Sequence, residues 1–389
     1  MPGSSVPLHL AVALDGTGWH PASWREPDAR PADLLTAGYW SDLIGEAERG
    51  LLDFVTIEDG LALQSEHPLR ADDRTDRVRG RLDATLIAAR VAPRTRHIGL
   101  VPTVVATHTE PFHASKAIAT LDYVSSGRAG VRIQVTASPV AARHFGRRVV
   151  PEGGGGTDLL DEAADYVEAV RRLWDSWEDD AEIRDVATGR FVDRTKLHYV
   201  DFEGRWFSVK GPSITPRPPQ GQPVVAALGH VDAAYRLIAS SADVGFITPH
   251  DAKETTAIVE EIAGHRAGGT PVRVFADLVV FLDDTAGAAR SRRDRLDEVA
   301  GRALRSDAEI FAGTPAELAD VLAHWHDAGA DGFRLRPATL PHDLLQITDG
   351  LVPELRARGL FRASYAGSTL RESLGLSRPA NRYSTAATA

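Results

Sequence analysis

"PVVAALGHVDAAYRLIASSADVGF", residues 223–246, holds one complete strand–helix unit and the start of the next strand. The apolar run 223–228 predicts a buried strand, which Gly229 ends. The pattern that starts at Asp232 predicts an amphipathic helix, and a second apolar run follows at Val244. A strand that passes through a glycine turn into a helix presents free backbone N–H groups, which favour an anion. This turn is therefore either an anion site or only a turn.

The same alternation of strand and helix runs along the whole chain. Strands are predicted at 8–16, 53–60, 97–106, 129–138, 223–228, 244–249, 271–282 and 332–337. Helices are predicted at 39–51, 81–92, 111–125, 157–176, 231–241, 252–266, 286–305 and within 341–359. Regular alternation predicts parallel strands with crossover helices, and eight such units close a (β/α)8 TIM barrel. A doubly wound open sheet is the competing fold.

Two segments do not fit a minimal barrel. Residues 177–222 contain two short β segments around Glu203-Gly204 and a connector rich in Pro and Gly, so we expect an excursion after strand four. The polar residues 363–389 are expected to form a frayed C-terminal tail. The predicted organisation is one barrel domain over 1–362, including the excursion, followed by this tail.

Composition excludes several classes of protein. The chain has 389 residues and no cysteine, which excludes disulfides, thiolate metal sites and a cysteine nucleophile and fits a reducing, cytoplasmic location. Its formal net charge of -10, without a dense Lys/Arg stripe, argues against nucleic acid and anionic membranes as partners. No apolar run is long enough to cross a bilayer, and no basic segment precedes the first apolar run as in a secretory signal.

In a barrel the active site lies at the carboxyl ends of the strands. The polar or turn-forming candidates there are Asp15, Glu58, Asp59, Thr103, Thr107, His108, Thr136, Ser138, Gly229, His230, Thr248, His250, Arg334 and Arg336. Glu58 is a candidate base. Asp59 either accepts hydrogen bonds from a ligand ring or forms a turn with Gly60, and the sequence favours the turn.

Four motif classes are absent or unsupported. His108 and His113 in "HTEPFH" do not have the H-E-x-x-H spacing, and the intervening Pro111 breaks a common helical face, so no metal site is predicted. The "GGGG" run at 153–156 lacks a P-loop context and is predicted to be a flexible loop. Neither a G-x-G-x-x-G after strand one nor a G-x-S-x-G motif is present, which argues against a Rossmann dinucleotide domain and an α/β-hydrolase.

Longer stretches carry a family resemblance. They are "WREPD" (24–28), "AERGLLDFVTIEDG" (47–60), "EPFHASKAIATLDYVSSGRAG" (110–130), "LWDSWEDDA" (173–181), "GPSITPRPPQGQPVV" (211–225), "GTPAELADVLAHW" (313–325), "GADGFRLRP" (329–337) and "LVPELRARGLFRASYAGSTLRESLGL" (351–376). Together they resemble the bacterial-luciferase-like flavin monooxygenases, in the branch that contains nitrilotriacetate monooxygenase component A and the dibenzothiophene-sulfone monooxygenases. The resemblance covers almost the whole chain and is weakest over about 252–305.

The resemblance implies a (β/α)8 barrel that acts as a two-component monooxygenase. A separate NAD(P)H:flavin reductase supplies reduced FMN through a transient encounter, and O2 then oxidises a small organic substrate. The family also implies a homodimer or homotetramer. Two alternatives are an F420-dependent oxidoreductase of the same fold and a non-catalytic protein on a decayed flavin site.

The resemblance also implies roles for single residues. On the cofactor side, Asp59 and Thr103 match positions that contact the flavin ring, Gly229 and His230 occupy the phosphate turn, and Thr136 follows strand four. On the substrate side the candidates are His20, Trp24, His108 and His113, of which Trp24 and His113 lie inside matched motifs.

The phosphate turn departs from the family pattern. The family has Gly-Ser-Ser where this chain has Gly229-His230-Val231, Leu160 takes the position of a phosphate-contacting Tyr, and Arg132 or Gln134 takes the region of an Asn. Each lost charge-assisted hydrogen bond is worth roughly 1.5–3 kcal/mol. Asp232 adds a negative charge at the helix start, which is expected to repel a phosphate. A protonated His230 is expected to offset that repulsion, which predicts tighter binding below about pH 6.5.

Overall fold

The computed structural model describes residues 7–67, 69–150, 158–266, 268 and 271–384, so the glycine run at 153–156 lies outside the described residues. In chain order its strands are β1 (His9–Leu14), β2 (Phe54–Ile57), β3 (Gly99–Val105), β4 (Gly130–Gln134), β5 (Glu182–Asp185), β6 (Arg190–Val192), β7 (Phe202–Glu203), β8 (Ser208–Val209), β9 (Val224–Leu228), β10 (Val244–Ile247), β11 (Arg273–Leu282), β12 (Glu309–Gly313) and β13 (Gly332–Pro337).

Eight parallel strands close a barrel in the order β1-β2-β3-β4-β9-β10-β11-β13. The ring closes where β13 pairs with β1, with Phe333 opposite Leu10, and where β10 pairs with β11, with Phe246 opposite Phe275. These strands are the eight predicted from the sequence, so the predicted (β/α)8 fold is confirmed. The sequence pattern missed β12, which pairs with the second half of β11 outside the ring.

Helices cover the outside of the barrel. They are α1 (Ala37–Arg49), α2 (Ala84–Val91), α3 (Pro111–Val124), α4 (Pro139–Phe145), α5 (Asp158–Asp175), α6 (Asp232–Ser241), α7 (Ala252–Gly264), α8 (Ala286–Ala300), α9 (Pro315–Asp327), α10 (His342–Gln346), α11 (Val352–Ala357) and α12 (Leu370–Ser373). Local chemistry fixes several starts: Thr314 forms a capping box with Glu317 at α9, and Asp83 caps α2. No described helix combines the length and the apolar character that a membrane span requires.

The base of the barrel is closed by the C-terminal segment. Leu370 and Leu374, on and beside α12, are fully buried in a cluster with Phe54, Phe246 and Phe275 of the barrel interior. The rings of Phe54 and Phe275 lie 5.4 Å apart, centroid to centroid. The expected frayed tail over 363–389 therefore differs from what the structure shows up to residue 384: apolar side chains anchor this segment under the strands.

The excursion after strand four contains two small antiparallel sheets. β7 and β8 are the two short segments predicted around Glu203-Gly204, and β5 and β6 form a further hairpin that was not predicted. Phe202 and Phe207 pack on α5, so the excursion covers one side of the barrel.

Candidate active site

The barrel interior carries buried charge near the carboxyl ends of its strands. Arg132 on β4 is 6% exposed. Its Nη1 donates to Oε2 of Glu58 at 2.6 Å and to Oγ1 of Thr103 at 3.0 Å. Glu58 follows β2 and Thr103 lies on β3, so three neighbouring strands bring a cation, a carboxylate and a hydroxyl together.

Asp277 on β11 holds both arginines of β13. Nε of Arg334 donates to its Oδ1 at 2.9 Å, and Nε of Arg336 donates to its Oδ2 at 3.0 Å. Arg336 also donates from Nη1 to Oδ1 of Asp307 at 2.6 Å. A buried guanidinium without a partner costs several kcal/mol, so the barrel tolerates these arginines because Asp277 lies between them.

The carboxylates of this network are strongly ionised. Burial alone would raise the pKa of Glu58, but the positive charges of Arg132 and Arg334 outweigh it and hold that pKa below its ordinary value. The pKa of Asp277 is lowered in the same way by Arg334 and Arg336. A carboxylate with a depressed pKa is a weak base, so the geometry does not favour Glu58 as a catalytic base near neutral pH.

A cleft of about 470 Å³ opens beside this network, between β4, β9, α5 and α6. Val135, Leu160, Leu228 and Leu237 supply much of its apolar wall. Arg132 reaches the same cleft from the barrel interior. The cleft therefore joins an apolar surface to the charged end of the barrel.

Two polar atoms of the cleft wall are left without partners. Nε of Arg132 and Oε1 of Gln134 are buried and have no hydrogen-bond partner among the described residues. At the other end of the cleft, α6 begins at Asp232 and its N-cap residue Val231 provides no side-chain cap. Because buried polar groups and helix N-termini are normally satisfied, these groups indicate the surface that a polar ligand would contact.

Gly229 has no room for a side chain. A Cβ at this position would lie 2.8 Å from a ring carbon of Tyr235 and 3.0 Å from Cδ1 of Ile238. The close approach of the turn to α6 keeps the backbone near the helix N-terminus. This requirement explains the glycine that the sequence analysis placed in the phosphate turn.

His230 lies at the mouth of the cleft and is held by two neighbours. Its Nδ1 is 3.0 Å from Oγ1 of Thr248, and its Nε2 is 3.4 Å from Oδ2 of Asp307. Burial lowers the pKa of His230, an effect that Asp307 opposes and Arg336 strengthens. The imidazole is therefore mostly neutral at pH 6.5. The expectation of a protonated His230 below about pH 6.5 is corrected to a lower pH.

Asp232 already has hydrogen-bonding and charged neighbours of its own. Its carboxylate accepts from Nε2 of His265 at 2.8 Å and pairs with Nη1 of Arg236 at 2.6 Å. The guanidinium of Arg236 offsets the negative charge that was expected to repel a phosphate. Among the described residues, Asp232, Glu261 and His265 also bring possible metal-ligand atoms within 4.8 Å of one another, but Arg236 competes for the same carboxylate.

The other predicted cofactor residues lie outside this cleft, and two of them have partners within the chain. Oδ1 of Asp59 accepts from the backbone of Gly60 at 2.7 Å and Oδ2 accepts from that of Ala84 at 2.9 Å, which is the turn alternative. Burial raises the pKa of Asp59. Thr103 contacts Arg132, whereas Thr136 lies just after β4. None of Asp59, Thr103 and Thr136 lines the cleft between β4 and α6.

Two of the predicted substrate-side residues hold the N-terminal loop. His20 is buried, with Nε2 3.2 Å from Oδ1 of Asp297 and Nδ1 accepting from the backbone of Ala22 at 3.1 Å. Trp24 donates from Nε1 to the carbonyl oxygen of Asp76 at 3.0 Å. These contacts satisfy both side chains within the fold.

The remaining two lie elsewhere. His108 stacks on Phe145, with ring centroids 5.0 Å apart, and faces a separate cavity of about 210 Å³ that Tyr166 also lines. His113 is exposed on α3. The structure therefore does not bring His20, Trp24, His108 and His113 together.

Sequence reasoning missed Asp277, the centre of the buried network. A carboxylate inside the apolar run 271–282 was the available signal, because a charge in a buried strand requires partners. Arg334 and Arg336, two residues apart on one strand face, are those partners.

The cleft suits the predicted flavin. A flavin presents an apolar ring system with polar edges and a phosphate tail. The apolar walls match the ring system, and the unpartnered atoms of Arg132 and Gln134 match its polar edges. The uncapped start of α6 matches the phosphate. The residues present therefore fit the group, although the serine donors of the family turn are absent.

Comparison with known proteins agrees with this geometry. The family model for luciferase-like monooxygenases matches residues 37–305. The N-acetyl-S-(2-succino)cysteine monooxygenase of Bacillus subtilis (strain 168) is 31% identical, covering 97% of this chain and 98% of that protein. Nitrilotriacetate monooxygenase component A of Aminobacter aminovorans is 30% identical, with coverages of 97% and 98%.

Solved structures agree as well. EDTA monooxygenase from Chelativorans sp. BNC1 is similar with a TM-score of 0.84 at 25% identity, covering 96% of this chain and 99% of that one. Long-chain alkane monooxygenase has a TM-score of 0.83 at 23% identity, with coverages of 95% and 96%. An F420-dependent secondary alcohol dehydrogenase reaches a TM-score of 0.60 at 15% identity, covering 90% of this chain and 100% of that one. The last two similarities show a common fold alone.

Proposed function

The chain belongs to the luciferase-like monooxygenase family and is a flavin-dependent monooxygenase, and we propose that the cleft between β4 and α6 binds reduced FMN. The observation that carries this proposal is the coincidence, in one cleft, of apolar walls, the unpartnered Arg132 Nε and Gln134 Oε1, and the uncapped start of α6. When bound, reduced flavin supplies the electrons that activate O2 toward an organic substrate.

The phosphate end of the cofactor is proposed to lie at Gly229-His230-Val231. The backbone N–H groups at the start of α6 and the helix dipole favour an anion there. Gly229 lets the backbone approach α6 closely, and His230 offers an imidazole at the cleft mouth. Arg236 and His265 reduce the repulsion from Asp232.

The ring end is proposed to lie toward β4. Val135 and Leu228 exclude water from one side, while Arg132 and Gln134 offer a donor and an acceptor to polar edges. Glu58 and Thr103 hold the guanidinium of Arg132 by its Nη1, which leaves Nε in the cleft wall. Arg132 or Gln134 is thus proposed to take the place of the family's Asn.

We further propose a separate NAD(P)H:flavin reductase as a transient partner, a small organic substrate, and a homodimer or homotetramer. The relatives are named for substrates that carry carboxylates, such as nitrilotriacetate, and for neutral ones, such as long-chain alkanes. Family membership therefore leaves open whether the substrate of this chain is charged.

Anaerobic titration with oxidised FMN, reduced FMN and F420, followed by fluorescence and calorimetry, tests the cofactor. We expect the tightest binding for reduced FMN. Absence of binding to all three compounds would overturn the proposal, and a preference for F420 would replace the monooxygenase cofactor with a deazaflavin.

Substitution of Leu160 tests the position of the phosphate. Leu160→Glu and Leu160→Gln remove the same apolar contact and differ by one charge, so we expect Leu160→Glu to bind reduced FMN roughly tenfold more weakly than Leu160→Gln through repulsion of the phosphate. Leu160→Tyr, which restores the family's residue, is expected to bind more tightly than the natural chain. Equal affinity of the Glu and Gln variants would place the phosphate elsewhere.

A further inference from the structure

We propose that the substrate carries a carboxylate, and that Arg70 and Arg143 bind it in a second cleft at the carboxyl face of the barrel. This inference rests on the monooxygenase function proposed above and specifies the chemistry of its substrate. It is carried by two arginines that face one cleft and have no acidic partner in the part of the chain that the structure describes.

The second cleft lies between the loop that follows β2 and helix α4. It has a volume of about 680 Å³ and is lined by His67, Leu69, Arg70 and Ala71 on one side and by Pro139, Val140 and Arg143 on the other. Ala137, two residues before Pro139, lines the proposed flavin cleft. The short segment that links β4 to α4 therefore contributes residues to both clefts.

Among the described residues, the titratable side chains that line the second cleft are the bases His67, Arg70 and Arg143, without an acidic residue. The side chains of Arg70 and Arg143 make no ion pair or hydrogen bond with the described residues, whereas the chain as a whole has 54 acidic and 44 basic residues. Local positive charge on an acidic protein attracts anions by focusing the field in the cleft.

Neighbouring arginines behave differently. In the same loop Arg74 pairs with Asp76 at 2.5 Å, Arg81 pairs with Asp15 at 2.6 Å, and the side chains of Arg77 and Arg79 pair with acids in the loop. Beyond α4, the side chains of Arg147 and Arg148 pair with glutamates. The fold thus supplies an acid for these neighbouring arginines, whereas the described residues supply none for the two that face the cleft.

The rest of the cleft wall is apolar. Leu69, Ala71, Pro139 and Val140 place hydrocarbon beside the guanidinium groups. An arginine presents a planar fork of donors that matches a carboxylate. The surface therefore fits a molecule with a carboxylate and an apolar portion, the carboxylate anchored while the reacting carbon extends toward the flavin cleft.

Calorimetry with chosen probes tests the proposal. Benzylsuccinate carries two carboxylates and a phenyl ring, and benzylsuccinamide is its neutral counterpart, so the pair isolates the charge. We expect the full-length protein to bind the dicarboxylate at least tenfold more tightly than the diamide, with an affinity that falls as salt is added. Equal affinity for the two probes, or no binding of the dicarboxylate, would overturn the inference.

Variants locate the site. Arg70→Ala and Arg143→Ala are each expected to weaken benzylsuccinate binding about fivefold, and Arg70→Lys less than Arg70→Ala, because the exposed charge is retained. Arg147→Ala is the matched control, since it removes an exposed arginine of the same region that is paired with Glu110, and we expect no change. An equal loss in the control would show nonspecific attraction and overturn the assignment.

Titration of the same preparations with reduced FMN separates this inference from the proposed function. Binding of FMN without binding of the dicarboxylate overturns the substrate assignment alone. Binding of the dicarboxylate without FMN overturns the cofactor proposal alone. Thermal unfolding of each variant excludes misfolding as the cause of a loss.

Discussion

Arg132 and Glu58 form an ion pair that is almost completely buried, with exposed side-chain fractions of 7% and 9%. Such a pair contributes little net stability compared with apolar residues of similar volume, but removal of one partner leaves an unpaired buried charge. The pair fixes the direction of the Arg132 side chain. The guanidinium therefore reaches the cleft at a place where the family has the amide of an Asn.

Removal of Arg132 alone is expected to be costly. Arg132→Leu leaves Glu58 ionised in the barrel and should lower the free energy of unfolding by about 3–5 kcal/mol at pH 7, whereas the double change Arg132→Leu, Glu58→Leu should recover most of that loss. Urea unfolding of the natural chain, the single variant and the double variant measures this. A double variant as unstable as the single one would contradict a coupled pair.

The same carboxylate predicts a pH dependence of stability. The folded pKa of Glu58 lies below its unfolded value, so its contribution is fully present above the unfolded pKa and is lost as the pH falls through the folded pKa. Glu58→Gln is expected to flatten the fall of stability below about pH 4.3, the usual glutamate pKa. Unfolding curves from pH 7 to pH 3 give the comparison.

His230 predicts a pH dependence of cofactor binding. Because burial lowers its pKa, the imidazole gains its charge only below pH 6.5, and any gain in FMN affinity from that charge starts there. The FMN phosphate itself titrates near pH 6, so the ratio of affinities of the natural chain and His230→Ala is the quantity to follow. We expect the affinity of the natural chain relative to that of His230→Ala to stay constant from pH 8 to 6.5 and to rise below pH 6.5. A rise that is already complete at pH 6.5 would contradict the lowered pKa of His230.

At the scale of elements, the segment from β9 through Gly229 to α6 joins fold and function. The strand ends against Phe246, to whose carbonyl the Gly229 N–H donates at 3.0 Å, and the helix then starts without a side-chain cap. A polar side chain at Val231 would satisfy the helix start internally. Its absence leaves those N–H groups to a ligand.

Two glycine variants test this geometry. Gly229→Ala places a Cβ 2.8 Å from Tyr235 and is expected to displace the turn and weaken reduced FMN binding by at least tenfold. Gly45→Ala, inside α1, meets nothing within 4 Å and should leave binding unchanged while stabilising the helix slightly. Comparison of FMN titrations with melting curves separates a local effect on the turn from loss of the fold.

At the scale of the whole molecule, the C-terminal segment covers the base of the barrel, at the amino ends of the strands. α12 lies under the strands, and Nη1 of Arg371 donates to Oδ1 of Asp243 at 3.1 Å, so this segment is joined to the barrel by charge as well as by apolar packing. The proposed active-site face and the base covered by the C-terminal segment therefore lie at opposite ends of the same strands.

Leucine substitutions measure how much the C-terminal segment contributes to the free energy of unfolding. Leu374 is fully buried, so Leu374→Ala is expected to lower the free energy of unfolding by about 2–5 kcal/mol through lost contacts and a cavity. Leu86 on α2 is 69% exposed, and Leu86→Ala should change stability by about 0.5 kcal/mol or less. Similar losses for both would show that the C-terminal segment does not close the base.

Local patterns determined much of the fold. Runs of apolar residues alternating with helical patterns predicted all eight barrel strands, because burial on both faces of a parallel strand leaves a continuous apolar signal. The same reasoning missed β12 and α12, which are short and whose place depends on neighbours far along the chain.

In the candidate site, too, some features follow from local sequence and others only from the tertiary structure. The sequence by itself identified the glycine turn at Gly229 and the strand ends that face the cleft, since both follow from local pattern and barrel geometry. Only the tertiary structure decided that Asp277 lies between Arg334 and Arg336, that Arg132 is held by Glu58, and that four predicted substrate-side residues lie apart. The physical reason is that charge pairing and burial depend on distances between strands, and no local sequence pattern carries those distances.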